Sequence, residues 1–390
     1  EEKRKNKLYI NLGPKGEYNI PTFSEQGAKY GLDIADCSTQ ATFFDYDKDG
    51  DLDMFLLNHY PTTYPASKSI AELLNMDGTV SNDKLLRNDN NYFTDVSKEA
   101  GIIHSRLEYG LGVAVGDVNN DGWPDLYVST DYSGKDHLYM NNKNGTFSDR
   151  ILEATDQISF FAMGNDMSDI NNDGWLDIMT VDMMGESNYD IKTSMSGMNP
   201  KAFNEAVDMK LHHQYMYNAL QINSGFLNEN NVPKFSNVAQ LAGVSSTDWS
   251  WAPLFFDMDN DGFKDLFVSN GIKRDFRNND FVNYVNKKQD SIHSNKKFSP
   301  EIYISDILSK MPTRKKENFF FKNSGGLNFL KMNSVWGAGV LTSSNGAVYA
   351  DLDNDGDLEI IVNNTDDPAF VLKNNSRELG LGHFLAIKLK

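Results

Sequence analysis

Five nine-residue phrases place oxygen-bearing side chains at positions 1, 3, 5 and 9, with a glycine at position 6. In chain order the four side chains are Asp45, Asp47, Asp49 and Asp53, then Asp117, Asn119, Asp121 and Asp125. The third set is Asp169, Asn171, Asp173 and Asp177, the fourth Asp257, Asp259, Asp261 and Asp265, and the fifth Asp351, Asp353, Asp355 and Glu359. Calcium takes six to eight oxygens in flexible geometry from carboxylates, amides, backbone carbonyls and water, and this spacing wraps them around one point. Position 7 varies between Asp51, Trp123, Trp175, Phe263 and Asp357, as expected if it supplies only its backbone carbonyl. The glycines permit the positive φ of a sharp turn. Magnesium prefers a near-ideal octahedron and retains its waters. Zinc would call for His or Cys, which no loop contains. One such phrase alone could be an acidic turn without a metal; five copies make calcium the expected cofactor, about one ion per loop.

An EF-hand shares the first six positions but needs a bidentate glutamate at position 12 and a following helix. Position 12 here is Leu56, Val128, Thr180, Val268 and Val362, none of which carries a carboxylate. The residues after each loop, such as Asp125-Leu-Tyr-Val-Ser129 and Asp265-Leu-Phe-Val-Ser269, are short apolar, β-branched and aromatic runs that read as strands. The EF-hand reading falls. Three loops carry four ligand carboxylates at positions 1, 3, 5 and 9, and the loops at Asp117 and Asp169 carry three, so these two are expected to be the weaker sites.

Each loop must be held by strands, and a common skeleton surrounds it. An apolar strand enters (Ala41-Thr-Phe-Phe44, Val113-Ala-Val115, Leu254-Phe-Phe256, Ala347-Val-Tyr-Ala350) and another leaves. A third strand ends in asparagine at Asn88, Asn141, Asn223, Asn323 and Asn374. A fourth contains Phe93, Phe147, Phe235 or Phe329. Four antiparallel strands, repeated, predict an all-β fold of β-propeller type. In these motifs the chain resembles the FG-GAP or VCBS repeat family, whose calcium loops also occur in integrin α-subunit propellers. Asn165-Asp-Met-Ser-Asp-Ile-Asn-Asn-Asp-Gly174 and Thr247-Asp-Trp-Ser-Trp251 resemble bacterial members that carry an ASPIC/UnbV-type module. The run from Asn374 through His383 to Leu389 resembles the lead-in to that module.

The resemblance implies seven blades. Lys7-Leu-Tyr-Ile-Asn11 and Thr22-Phe-Ser24 match third and fourth strands without a loop before them, so the chain is expected to hold half a blade plus five full ones. A single propeller domain over residues 1–390, excerpted from a longer chain, fits the length better than two domains. A six-bladed ring is the alternative. Insertions are expected at 59–82, 183–217 and 272–317. Helical spacing is expected in Ser67–Leu74, Asn199–Leu211, Asn279–Val285 and Pro300–Leu308.

The formal charge of −18 disfavours a nucleic-acid partner. Eighteen carboxylates lie at positions 1, 3, 5 and 9 of the loops, and five divalent ions would bring the net charge to about −8. No apolar run is long enough for a transmembrane segment. The single cysteine, Cys37, excludes an intrachain disulfide and reads as a small buried hydrophobe. Open loops of this kind bind calcium at about 10⁻⁴–10⁻³ M, which suits an extracellular or cell-surface location. At ~2 mM calcium each site would then contribute about 0.6–2 kcal/mol.

Chemistry beyond cation binding is sparse. The histidines (His59, His104, His137, His212, His213, His293, His383) are scattered, and the His212-His213 pair reads more readily as packing than as a metal or catalytic pair. No nucleophile elbow, P-loop or H-E-x-x-H motif occurs. Trp249 and Trp251 read as core, with sugar stacking the alternative. These absences favour a non-enzymatic binding module with a protein or glycan partner, gripped through the insertions. The alternative is a polysaccharide lyase or hydrolase acting at a funnel mouth. The family resemblance adds surface lipoproteins at a Gram-negative outer membrane, and hence an outer-membrane complex partner.

Overall fold

The structure is a computed structural model that describes residues 4–383, apart from 17–18, 60–69, 75–81, 104, 106, 108, 133, 195–198, 294–299 and 338. His104, most of the insertion expected at 59–82 and the C-terminal residues 384–389 therefore lie outside the described residues.

The chain is all-β, of β-propeller type, and its blades are antiparallel meanders. The first is Ser38–Phe44, Asp53–Asn58, Lys84–Asn88 and Phe93–Asp95, hydrogen-bonded in sequence order. The second is Gly110–Gly116, Asp125–Thr130, His137–Asn141 and Phe147–Asp149. The third is Asn165–Ser168, Asp177–Thr180, Ala219–Leu227 and Pro233–Asn237, and the fourth Ser250–Phe256, Asp265–Asn270, Phe319–Asn323 and Phe329–Lys331. The fifth has three strands among the described residues, Ser344–Ala350, Glu359–Asn364 and Phe370–Leu372, rather than the four expected. The expected half-blade is the two-stranded sheet of Tyr9–Lys15 and Ile20–Glu25.

One register is common to all five loops. The residue before position 1 pairs with position 9: Phe44 with Asp53, Gly116 with Asp125, Ser168 with Asp177, Phe256 with Asp265 and Ala350 with Glu359. Each acidic phrase is thus a hairpin connection whose last ligand opens the second strand. These second strands are central in their sheets and buried along their whole length in the first four blades. At their far ends a buried side chain caps the next backbone N–H. Asp83 accepts from Asn58 (2.8 Å), Asp136 from Thr130 (2.9 Å), Asn218 from Asp182 (2.7 Å) and Asn318 from Asn270 (2.8 Å).

The chain clusters into two compact units. The first comprises residues 1–162, 205–214 and 223–235, the second 163–204, 215–222 and 236–390. In the first unit, Phe44, Phe55, Leu57 and Leu85 of blade one share a core with Val113, Leu126, Val128, Tyr139 and Phe147 of blade two. In the second, Phe256, Met258, Phe267 and Phe320 of blade four pack with Ile360 and Val362 of blade five. Burying this aliphatic and aromatic surface is the main favourable contribution to each unit.

Apart from the four-residue helices Gly27–Tyr30 and Ile151–Ala154, the described helices lie in the insertions. Ile70–Leu74, Pro200–Asp208, Asn279–His293 and Pro300–Lys310 lie where helical spacing was expected. Asn188–Ser194 is a further helix that the sequence reading did not identify. Trp249 is core at 8% exposure, whereas Trp251 is half-buried and donates its indole N–H to the Gly271 carbonyl at 2.9 Å. Cys37 departs from expectation: it is half-buried, with its sulfur 3.9 Å from the Arg4 guanidinium.

Candidate metal centres

The loop conformation follows from its own side chains. The position 1 aspartate accepts the N–H of the position 6 glycine in every copy: Asp45 from Gly50 (3.1 Å), Asp117 from Gly122 (2.6 Å), Asp169 from Gly174 (2.8 Å), Asp257 from Gly262 (2.8 Å) and Asp351 from Gly356 (3.2 Å). Position 5 accepts from the N–H of position 7: Asp49 from Asp51, Asp121 from Trp123, Asp173 from Trp175, Asp261 from Phe263 and Asp355 from Asp357, at 2.9–3.1 Å. The glycines have φ between 86° and 97°, which a side chain would strain. Position 4 is also left-handed in all five, at Lys48, Asn120, Asn172, Asn260 and Asn354. Asparagine tolerates that conformation better than most residues, and its recurrence at position 4 was the signal the sequence reading passed over.

Position 9 does more than the sequence reading assigned to it. Its buried carboxylate clasps the loop to the third strand. Asp53 accepts from Tyr46 N (3.2 Å) and Asn88 N (2.8 Å), Asp125 from Val118 N (3.1 Å) and Asn141 N (2.8 Å), and Asp265 from Met258 N (2.9 Å) and Asn323 N (2.8 Å). Glu359 repeats the pattern with Leu352 N (2.9 Å) and Asn374 N (3.4 Å). Burial pushes Asp53 up to about 6 and Asp125 and Asp265 up to about 7, against the pull of those amides. A divalent cation alongside would favour the ionised form.

Four of the five third-strand asparagines donate to a position 2 carbonyl, whereas Asn88 donates to Leu52 of its own loop. Asn141 donates to the carbonyls of Tyr46 in the preceding loop (2.8 Å) and Pro124 in its own (3.2 Å). Asn323 reaches Ile170 (2.8 Å) and Lys264 (3.1 Å), and Asn374 reaches Met258 (2.8 Å) and Leu358 (3.3 Å). Asn223 reaches Val118 at 2.8 Å. Within each unit, consecutive loops are therefore tied at positions 2 and 8.

The donor chemistry fits a hard cation. Asp45, Asp47 and Asp53 bring carboxylate oxygens within 4.8 Å of one another, as do Asp257, Asp259 and Asp265, and Asp351, Asp353 and Asp355. In these same three loops, one buried carboxylate oxygen has no hydrogen-bond partner: Asp45 Oδ1, Asp259 Oδ1 and Asp357 Oδ1. An orphaned buried carboxylate oxygen is costly unless something positive meets it. Asp357 also revises the expectation for position 7. Its side chain is fully buried and groups with Asp355 and Glu378, so in the fifth loop this position offers more than a carbonyl. In the second and third loops the position 3 amides turn inward, Asn119 Nδ2 to Asp121 Oδ2 and Asn171 Nδ2 to Asp173 Oδ2, each at 2.9 Å.

The His212-His213 pair is packing. His212 Nδ1 accepts the His213 backbone N–H at 2.7 Å, which leaves Nε2 to donate to Thr155 Oγ1 at 3.0 Å. Burial, with His213 beside it, pushes His212 down to about 4. A histidine held below its ordinary 6.5 binds its proton more weakly when folded than when unfolded. Its contribution to stability is therefore complete above about 6.5 and lost as pH falls towards about 4. In His212→Gln, the loss of stability on going from pH 6.5 to 4 should be shallower than in the wild type, by urea unfolding at each pH. Equal slopes would contradict this.

Comparison with known proteins agrees with the repeat anatomy. The FG-GAP-like repeat family matches residues 71–128 and 117–180. Integrin alpha-3 of Mus musculus and of Cricetulus griseus are each 32% identical over 81 residues, which is 18% of this chain and 8% of theirs. The match thus spans less than a tenth of those relatives' length. Among solved structures, an Agrocybe aegerita lectin with specific recognition of non-reducing terminal N-acetylglucosamine overlaps 96% of this chain and 78% of its own, at 13% identity and TM-score 0.40. A rhamnogalacturonan lyase overlaps 93% of this chain and 50% of its own, at 12% identity and TM-score 0.33. The matched segments cover the second and third loops, and all five loops share one hairpin register and one pattern of internal hydrogen bonds. The chain carries FG-GAP-like repeats over residues 71–128 and 117–180.

Proposed function

We propose that the five loops are calcium sites that stabilise a non-enzymatic binding module of an extracellular or cell-surface protein. The observation that carries this reading is the set of orphaned buried oxygens on Asp45, Asp259 and Asp357, which among the loop carboxylates fall in the three loops with four carboxylates at positions 1, 3, 5 and 9. The proposed ligands are the side chains at positions 1, 3, 5 and 9 and the carbonyl at position 7, with the Asp357 side chain added in the fifth loop. Millimolar calcium outside cells suits loops of this openness, and among the described residues no helix is long and apolar enough to cross a membrane. The finer placement, at a Gram-negative outer membrane beside a complex partner, rests on the family resemblance alone.

Recognition of a protein or glycan is assigned to the insertions. Asn279 Nδ2 of one insertion donates to the Lys192 carbonyl of another at 2.7 Å, so these two segments support each other. On helix Pro300–Lys310, Ile304 and Leu308 share a face at helical spacing and are 55% and 50% exposed. Exposed apolar pairs on a rigid scaffold are the usual material of a contact surface. The test has two parts. Equilibrium dialysis of the chain against ~2 mM calcium should find about three to five bound ions per chain above the buffer, and less than one would sink the calcium reading. Arrays of glycans and extracellular proteins should yield a partner that Ile304→Ser with Leu308→Ser loses at unchanged melting temperature. Retention of binding by that variant would move the site elsewhere.

A further inference from the structure

The residue immediately before each third-strand asparagine changes in step with position 3 of the loop. Where position 3 is Asp47, Asp259 or Asp353, that residue is Arg87, Lys322 or Lys373. Where position 3 is Asn119 or Asn171, it is Met140 or Ile222. The structure brings the two positions together. Lys322 Nζ pairs with Asp259 and lies 2.9 Å from Asp261 Oδ2. Lys373 Nζ lies 3.3 Å from Asp353 Oδ2. The Arg87 guanidinium, held by Asp89 at 2.9 and 3.1 Å, lines one cavity with Asp47.

In the fourth loop the ammonium donates to the outer oxygen of position 5, and in the second and third loops the asparagine amide donates to the same oxygen. Over positions 1, 3, 5 and 9, four carboxylates with one basic neighbour and three carboxylates with an apolar neighbour each sum to minus three by residue type, and Asp51 and Asp357 add one further carboxylate to the first and fifth loops. Lys143 Nζ also reaches Asp121 Oδ2 at 3.2 Å on a side chain 46% exposed, and Lys373, 52% exposed, also meets Glu378 at 2.7 Å, so solvent screening weakens both and Lys322, 27% exposed, is the strongest case.

We propose that position 3 and the residue preceding the third-strand asparagine form one charge-setting pair, in which the basic residue offsets the added carboxylate and holds calcium affinity down at that loop. The pair rests on the calcium reading of those loops. Carboxylate count, which the sequence suggested as a ranking, then overstates the differences between sites.

Calorimetric calcium titration of the full chain tests the pair. Lys322→Met should tighten one binding step by about tenfold, the scale of one unit charge a few ångströms from a partly screened divalent ion. Asp259→Asn with Lys322 retained should weaken that step by about as much. The double variant Asp259→Asn/Lys322→Met, which copies the second and third loops, should return it close to the wild-type value. Ile222→Lys supplies an independent arm: it should weaken the third loop, read by terbium luminescence sensitised through Trp175. An unchanged step in Lys322→Met, or a double variant that binds like Asp259→Asn alone, would overturn the pairing. A wild-type chain that takes up no calcium would overturn the loop reading itself, and the pairing with it.

Discussion

Asp265→Ala is expected to lose about 2–6 kcal/mol of folding stability in calcium-free buffer, from two buried amides at about 1–3 kcal/mol each. The fully buried carboxylate accepts from Met258 N at 2.9 Å and Asn323 N at 2.8 Å, and alanine leaves both donors without an acceptor. Asn323 also holds the carbonyls of Ile170 and Lys264, so a displaced third strand would strain a second loop as well. Asp265→Asn keeps one acceptor oxygen and should lose less. Urea unfolding in chelator separates the clasp from any cation ligation. A calcium-free alanine variant as stable as the calcium-free wild type would show that position 9 acts only as a ligand.

Arg314→Met should cost about 3–5 kcal/mol, the range for removing one partner of a buried charge network. Its guanidinium lies 2.7 Å from Asp190, 2.8 Å from Asp248 and 3.5 Å from Asp275, and the last two carboxylates are only 4% exposed. Lys316 meets Asp190 at 3.0 Å and Asp248 at 2.9 Å and remains in the variant, whereas Asp275 loses its contact with Arg314. The network ties helix Asn188–Ser194 to the segments flanking strands Ser250–Phe256 and Asp265–Asn270. Arg314→Lys should recover little, because one ammonium cannot reach three carboxylates as a planar fork does. Lys316→Met should cost less than Arg314→Met. Thermal melts in calcium measure all three variants, and equal melting temperatures for Arg314→Met and the wild type would contradict the assignment.

What could be read from the sequence is what is local along the chain. A nine-residue loop carries its own ligands, its glycine and its exit strand, so loops and blades were visible in the residue pattern. Strand Asn165–Ser168 was not, because Asn-Asp-Met-Ser has no apolar alternation. It is fixed by pairing with Asp177–Thr180, and Asp166 accepts the N–H of Phe255 in the next blade at 2.7 Å. Arg314 was invisible for a related reason: its three acidic partners come from segments far apart in sequence. The third-strand asparagines stood in plain view, but nothing in one sequence says that their amides would span two loops. Asp357 was read as interchangeable with Trp123 and Phe263, since burial of its side chain depends on the segment that carries Arg377 and Glu378.

The central claim, that five cation-filled loops hold the blades together, meets its most direct test in the melting temperature of the full chain in ~2 mM calcium and after chelation. At about 0.6–2 kcal/mol per occupied site, five sites predict a loss of about 3–10 kcal/mol and a melting point lower by many degrees. Calcium added back should restore it and magnesium should not. A melting temperature indifferent to chelation, in a chain shown to be free of bound metal, would contradict the account.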